Sequence, residues 1–322
     1  MKVAILGMGA MGIALTKIIK NDIEISMWTN FEYELKSVEL KRENTQVLPG
    51  IKIDENVCLT TSLKEAVDNS EIIFLAVPAV AVRSVSEILK EYIADEQIIC
   101  ILTKGIEKDS NMFMVDIVKE VINTNNICVF SGPSFAIDVA NNSNIGMVIA
   151  GDNDVIRRRV SNTLDEEYVN LAYTSDVIGV EISSAIKNVF AIVCGMFEGK
   201  NASDSTKSAA FSVIFNDYRL ALTLLGGKEA TIFSYAGIGD LMLTCMSEKS
   251  RNYTFGKMLG LGKNKEEALE SMKVKTIEGL YTLDAIYDIL NKKLVNINSI
   301  NLLYDVVYNN KKVDNLLKEI IN

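Results

Sequence analysis

The chain contains no histidine in 322 residues. That removes the commonest general acid and base, the familiar serine and cysteine triads, and most zinc sites. Acid–base chemistry in this protein therefore falls to lysine, aspartate, glutamate, tyrosine or cysteine. Cysteine is sparse as well. Cys58, Cys100, Cys128, Cys194 and Cys245 are scattered, with no C-x-x-C pair, a usage that suits small core residues in a reducing compartment rather than a disulfide or metal framework. There are three prolines, Pro49, Pro78 and Pro133, all in the first half. Positive charge is in deficit, with 33 Lys and Arg against 42 Asp and Glu and a net charge of −9. A general nucleic-acid binder needs a basic face, so an anionic ligand would have to be met by a local cluster of lysine and arginine. Long apolar runs are also missing. The stretch before Gly7 is too short for a signal-peptide core, and the longest run, Ile72 to Val82, carries Pro78 and is too short to span a bilayer. These absences predict a cytoplasmic protein with no membrane span, no nucleic-acid partner and no metal.

What is present begins in the first twelve residues. The apolar run Val3 to Leu6 leads directly into Gly7-x-Gly9-x-x-Gly12, and an apolar helix pattern, Ile13-Ala14-Leu15 with Ile18-Ile19, starts where the glycines end. Strand, tight glycine turn and helix in that order form the context of a dinucleotide-binding fingerprint. Gly7 is expected to permit the turn, Gly9 to let a pyrophosphate approach the backbone, and Gly12 to let helix and strand pack closely. The helix N-terminus would offer free N–H groups and a positive dipole end to the phosphates.

Beyond the fingerprint, the first half alternates strands and helices. Strands are predicted at Lys2–Leu6, Ile23–Trp28, Glu71–Val77, Gln97–Leu102 and Ile127–Phe130, with shorter ones near Cys58–Thr60 and Met147–Ala150. Helices are predicted at about Ala10–Lys20, Leu63–Asn69, Val80–Tyr92, Met112–Asn123 and Asp154–Leu164. After about Thr174 long helical patterns dominate, at Val177–Phe197, Lys207–Leu225, Lys265–Met272, Ile277–Leu290 and Asn298–Tyr308. The expected fold is therefore α/β: an N-terminal Rossmann-type doubly wound parallel sheet over residues 1–175, and a C-terminal all-helical domain over residues 176–322.

Three groups of residues stand where chemistry would be expected. Leu75-Ala-Val-Pro78, Thr103-Lys104-Gly105 and Ser131-Gly132-Pro133-Ser134-Phe135-Ala136 each follow a predicted strand, and ligands of open parallel sheets bind beyond the carboxyl ends of strands. On these residues alone Lys104 reads equally as a site lysine or as a solvated loop charge. Lys187 and Asn188 interrupt an otherwise apolar helix. A partly buried lysine near a second lysine would have a lowered pKa and could exchange a proton with an alkoxide near neutral pH, which makes Lys187 the preferred acid–base candidate. Finally, Gly237-Ile-Gly239-Asp240 precedes Ser250-Arg251-Asn252. Ser250 can cap a helix beginning at Arg251, and such an end with a guanidinium fork suits a phosphate, although an ordinary capped surface helix has the same local sequence.

Taken in order, these segments resemble NAD(P)-dependent glycerol-3-phosphate dehydrogenase of the bacterial type. The resemblance runs almost end to end. It is carried by Gly7-x-Gly9-x-x-Gly12-x-Ala14-Leu15, Leu48-Pro49-Gly50-Ile51, Leu75-Ala-Val-Pro78 with Val82-Arg83, Lys104-Gly105-Ile106-Glu107, Ser131-Gly-Pro-Ser134-Phe-Ala136, Gly179-Val-Glu-Ile182 with Lys187-Asn188, Gly237-x-Gly239-Asp240-Leu241, Ser250-Arg251-Asn252 and Glu278-Gly279. It implies interconversion of dihydroxyacetone phosphate and sn-glycerol 3-phosphate with NAD(H) or NADP(H), in the supply of glycerophospholipid precursors, by a homodimer. Lys187 would be the proton donor and acceptor, with Lys104 and Asp240 beside it in the catalytic set. Gly7, Gly9, Met11, Gly12, Trp28, Lys104, Ala136, Arg251 and Glu278 would bind the cofactor. Lys104, Gly132, Ser134, Lys187, Asp240, Ser250, Arg251 and Asn252 would bind the phosphorylated substrate.

The chain departs from that pattern in places. Ala10-Met11 stands where the family often has Ser-Trp, and Ser183-Ser184 where it often has Gly-Gly, which would crowd the site or add a hydrogen bond to it. Val213-Ile214-Phe215-Asn216 replaces a segment that typically carries an arginine. Asn30 stands where arginine is common, so NADH is expected to serve at least as well as NADPH. Two alternatives remain on sequence: a reductase of another small 2-oxo or 2-hydroxy acid on the same fold, and a non-catalytic nucleotide-sensing homologue.

Overall fold

The computed structural model describes residues 1–321. The chain divides into two compact units, Met1–Lys104 with Phe113–Val177, and Gly105–Met112 with the residues from Ile178 onward.

The first unit is built on one eight-stranded sheet: β1 (Lys2–Leu6), β2 (Glu24–Trp28), β3 (Cys58–Thr60), β4 (Ile72–Leu75), β5 (Ile98–Ile101), β6 (Ile127–Ser131), β7 (Ile145–Ala150) and β8 (Val169–Thr174). Its strand order is β3-β2-β1-β4-β5-β6-β7-β8. The chain reverses direction of growth between β1 and β4, the switch point at which doubly wound sheets bind ligands. Strands β1, β4, β5 and β6 are buried almost throughout, which explains their continuous Val, Ile, Leu and Phe content: both faces are covered by helices. The covering helices are α1 (Ala10–Leu15), α2 (Glu32–Lys41), α3 (Leu63–Val67), α4 (Val82–Leu89), α5 (Met114–Ile122), α6 (Ala136–Ala140) and α7 (Asp154–Ser161). Features that differ from expectation include helices α2 and α6, which no predicted helix covers. Strand β7 pairs antiparallel with β6 and parallel with β8, and β8 itself was unforeseen because its Val-Asn-Leu-Ala-Tyr-Thr edge is half exposed and lacks an apolar run.

The second unit is helical: α8 (Val177–Gly199), α9 (Asp204–Leu224), α10 (Asp240–Cys245), α11 (Arg251–Gly260), α12 (Lys265–Ser271), α13 (Glu278–Lys292), α14 (Asn298–Tyr308) and α15 (Val313–Ile321). Helix α8 is its axis. Among the described residues it is the one helix long and apolar enough by composition to cross a bilayer, with a mean hydropathy of 1.7, yet 83% of that window is buried inside the fold. A search for unbroken apolar runs passes over it because Glu181, Ser183, Ser184, Lys187 and Asn188 interrupt the pattern. Helices α8 and α11 cross backbone against backbone. A Cβ on Gly195 would strike the carbonyl oxygen of Tyr253, and one on Gly256 the carbonyl oxygen of Ile192. Gly199 and Gly260 repeat this one turn further on. Glycines four apart on both helices thus set the crossing, the spacing that lets any two helix backbones come close.

Candidate functional site

In the sheet unit the predicted site loops meet through direct contacts at the carboxyl ends of neighbouring strands. Gly7 leaves β1 with φ near 120°, a conformation that favours glycine. A Cβ there would also lie 2.8 Å from the carbonyl oxygen of Ala76, in the loop after β4. The Thr103 hydroxyl, after β5, donates to the carbonyls of Val77 at 2.7 Å and Leu75 at 3.2 Å. Lys104 Nζ donates to the Gly132 carbonyl at 3.1 Å, after β6, and Ser134 Oγ donates to the same carbonyl at 3.2 Å. These contacts link the loops that follow β1, β4, β5 and β6.

The three fingerprint glycines are in three different environments. A Cβ on Gly12 would strike the Gly7 carbonyl oxygen, so that position locks the turn to α1. A Cβ on Gly9 would meet nothing within 4 Å. Gly9 thus leaves room beside the N-terminus of α1, as a pyrophosphate requires. Met11 and Ala136 are half buried on α1 and α6, which pack together. The Trp28 side chain is built into the sheet unit: its indole N–H donates to the Thr61 carbonyl at 3.0 Å, and its own carbonyl accepts from the Gly7 N–H at 2.8 Å. Only the backbone end of β2 is left to face a ligand there. Asn30, just beyond, is exposed, while Glu34 is engaged by the Thr29 hydroxyl and by Asn44 Nδ2 at 3.0 Å.

In the helical unit Lys187 Nζ donates to Asp240 Oδ1. Both are buried, at 7% and 1% exposure. Within this unit the buried ammonium is thus met by a carboxylate. Local structure explains how Asp240 arrives. Gly237 is packed so tightly on the carbonyls of Thr231 and Ile232 that no side chain fits. Its backbone leaves the helical region inside the π-type turn Tyr235–Gly239, which Ser234 caps by accepting from the Gly237 N–H at 3.2 Å. Helix α10 then opens on Asp240, and the Thr244 hydroxyl closes its first turn on the Asp240 carbonyl at 2.6 Å. The carboxylate sits in the first turn, where the helix dipole favours it.

Ser250 caps α11, accepting from the Tyr253 N–H at 3.3 Å. Arg251 is exposed at that end. Asn252 is turned inward and accepts from the Gly279 N–H at 2.9 Å. Asn188 Nδ2 reaches Glu278 Oε2 at 3.5 Å. Lys187-Asn188, Ser250-Arg251-Asn252 and Glu278-Gly279, far apart in sequence, are thereby tied to one end of the α8–α11–α13 cluster. Of the departing segments, Ser183 is fully buried on α8, while Val213 and Asn216 lie exposed on α9 beside the fully buried Ile214. Sequence reasoning missed Tyr218 of α9 and Thr244. Tyr218 is fully buried and touches the same stripe of α8 as Lys187. The signal that could have found this neighbourhood is the four-residue spacing of Ser183 and Lys187, two polar side chains on one stripe of an apolar helix.

These two sets of residues match known proteins in the same order. Residues 2–156 match the family model described as NAD-dependent glycerol-3-phosphate dehydrogenase N-terminus, and residues 176–318 match its C-terminus. A glycerol-3-phosphate dehydrogenase [NAD(P)+] of Fusobacterium nucleatum is 34% identical over 99% of this chain and 96% of its own. One from Ehrlichia canis is 31% identical over the whole of both. The crystal structure of glycerol-3-phosphate dehydrogenase from Coxiella burnetii superimposes with a TM-score of 0.93 at 26% identity, covering 100% of this chain and 98% of that one. Matched in both halves and nearly end to end, the chain belongs to the NAD-dependent glycerol-3-phosphate dehydrogenase family.

Proposed function

We propose that this protein interconverts dihydroxyacetone phosphate and sn-glycerol 3-phosphate, using NAD(H) or NADP(H). The observation that carries the reading is the buried Lys187–Asp240 pair in a chain with no histidine to act in its place. When bound, the nicotinamide cofactor supplies or accepts the hydride. The glycine turn fits such a group, because Gly9 leaves open space at the N-terminus of α1. By the family resemblance, Gly7, Gly9, Met11, Gly12, the backbone at Trp28, Lys104, Ala136, Arg251 and Glu278 would hold it.

The protein's own work is then orientation and proton handling. In the reducing direction Lys187 gives a proton to the carbonyl oxygen as that oxygen becomes an alcohol, and in the oxidising direction it takes the proton back. Asp240 fixes the ammonium and balances its charge in a site with little water. Lys104, Gly132 and Ser134 line the substrate, with Lys104 polarising the carbonyl. Ser250, Arg251 and Asn252, with the free N–H groups at the start of α11, receive the phosphate. Binding energy gained at that remote group orients the reacting carbon. The same resemblance supports a cytoplasmic homodimer that serves glycerophospholipid synthesis. Oxidation of NADH and of NADPH by the purified protein, followed by absorbance with dihydroxyacetone phosphate as acceptor, tests the reading. Turnover with NADH at least equal to that with NADPH is expected, because Asn30 carries no charge for a 2′-phosphate. No turnover with either cofactor contradicts the assignment.

A further inference from the structure

Past the end of β2 the chain reads Thr29-Asn30-Phe31-Glu32-Tyr33-Glu34, with two acids and no base. The two residues directly after Trp28 are not acidic, although an Asp or Glu there is the usual partner of a ribose 2′-hydroxyl. The fold brings one from the next element. Helix α2 opens at Glu32 and carries Glu34 in its first turn. The Thr29 hydroxyl donates to Glu34 Oε2, and Asn44 Nδ2 donates to Oε1 at 3.0 Å. Both donors are themselves fixed. Thr29 is buried at the strand end, and its hydroxyl accepts from the Phe31 N–H at 3.3 Å. Asn44 is buried too, and its amide also donates to the Met8 carbonyl at 3.1 Å, inside the glycine turn. The Glu34 carboxylate is thus tied to the end of β2 and, through Asn44, to the turn between Gly7 and Gly9.

A carboxylate accepts about four hydrogen bonds, so one donor on each oxygen leaves Glu34 able to take more. Its side chain is half buried, with part of it open to solvent. The junction of β2 with the glycine turn is where a dinucleotide presents its adenosine ribose. The nearest arginine along the chain, Arg42, is committed to the carbonyls of Ile53, Asp54 and Val57. We propose that Glu34 determines the choice of cofactor: its carboxylate, set by Thr29 and Asn44, accepts from the ribose 2′-hydroxyl of NADH and repels the 2′-phosphate of NADPH. Asn30 merely lacks a charge to attract that phosphate, whereas Glu34 supplies one that rejects it, and a repulsive element of this kind turns a preference into discrimination. The proposal rests on the reading of Gly7–Gly12 as the cradle of a nicotinamide dinucleotide.

The test is fluorescence titration of NADH and of NADPH onto the full-length protein, with no substrate present, for the wild type, Glu34→Gln and Glu34→Asp. The wild type is expected to bind NADH at least about tenfold more tightly than NADPH, the worth of a hydrogen bond to a charged group. Glu34→Gln is expected to weaken NADH and to tighten NADPH, closing the gap to within about threefold. Glu34→Asp keeps the charge, so NADPH stays the weaker ligand. A residue that only ties α2 to β2 would weaken both cofactors alike, and an unchanged ratio in Glu34→Gln overturns the proposal. The wild type gives a second reading that needs no variant. Salt screens repulsion between charges, so the ratio of the NADPH to the NADH dissociation constant is expected to shrink as salt rises to about 0.5 M. A ratio that grows with salt places a cation at the 2′-phosphate and overturns the proposal. A wild type that binds neither cofactor overturns the reading beneath it.

Discussion

The Lys187 ammonium and the Asp240 carboxylate meet in the interior of the helical unit, 53 residues apart in sequence. A buried ion pair is weak evidence for stability, because desolvating two charges offsets most of their attraction. Breaking it is costly, since one buried charge is left alone. Asp240→Asn is expected to destabilise the protein by about 3 kcal/mol and to lower kcat about a hundredfold. Replacing both charges at once, Lys187→Met with Asp240→Leu, should recover much of that stability and none of the activity. Thermal unfolding and turnover of the two variants check this, and a double variant no more stable than Asp240→Asn would contradict it.

Gly9 and Gly12 should fail in different ways. Gly9 faces open space, whereas Gly12 abuts the Gly7 carbonyl. Gly9→Ala is therefore expected to fold normally and to raise KM for the cofactor about tenfold, as a methyl group enters the phosphate cradle. Gly12→Ala should instead cost about 2 kcal/mol of stability through overpacking. Unfolding curves set beside cofactor titrations separate the two.

Much of this was legible in the sequence, for physical reasons that differ by element. The β1–turn–α1 unit was legible because a fully buried strand must be an unbroken apolar run and its turn must be glycine. Helix α2 was not, since it is mostly solvated and buries Val38 alone. The reversed direction of β7 was hidden because a strand buried on both faces carries the same apolar signal whichever way it runs. In the site, Lys187 and Asn188 stood out against their apolar surroundings. Asp240 was named only through its segment and the family resemblance, because pairing across 53 residues leaves no local trace. The glycines at 195, 199, 256 and 260 did leave one in their repeated spacing of four, and it went unread for want of a partner helix.

Arg251 is exposed at the start of α11, with Ser250 as the cap. Arg251→Ala is expected to raise KM for dihydroxyacetone phosphate about tenfold to a hundredfold, the worth of a charge-assisted hydrogen bond, with little change in kcat. Steady-state kinetics decide. An unchanged KM would favour a reductase of phosphate-free 2-oxo acids, for which this helix end has no role.

The α8–α11 crossing gives a prediction about stability alone. Gly256 lies against the Ile192 carbonyl with no room for a methyl group. Gly256→Ala is expected to cost about 2–3 kcal/mol by forcing the helices apart. It should also weaken substrate binding, since α11 carries Ser250, Arg251 and Asn252. Denaturant unfolding measures the first effect, and an unfolding midpoint equal to that of the wild type would mean that the crossing tolerates separation.

The most direct test of the central claim is the reduction of dihydroxyacetone phosphate by Lys187→Ala protein shown, by fluorescence titration, still to bind NADH. The account predicts turnover reduced by at least about a thousandfold, since the chain offers no histidine to replace the lost acid, while NADH affinity stays at the wild-type value. Turnover within tenfold of wild type would contradict it and would move the proton donor to another residue.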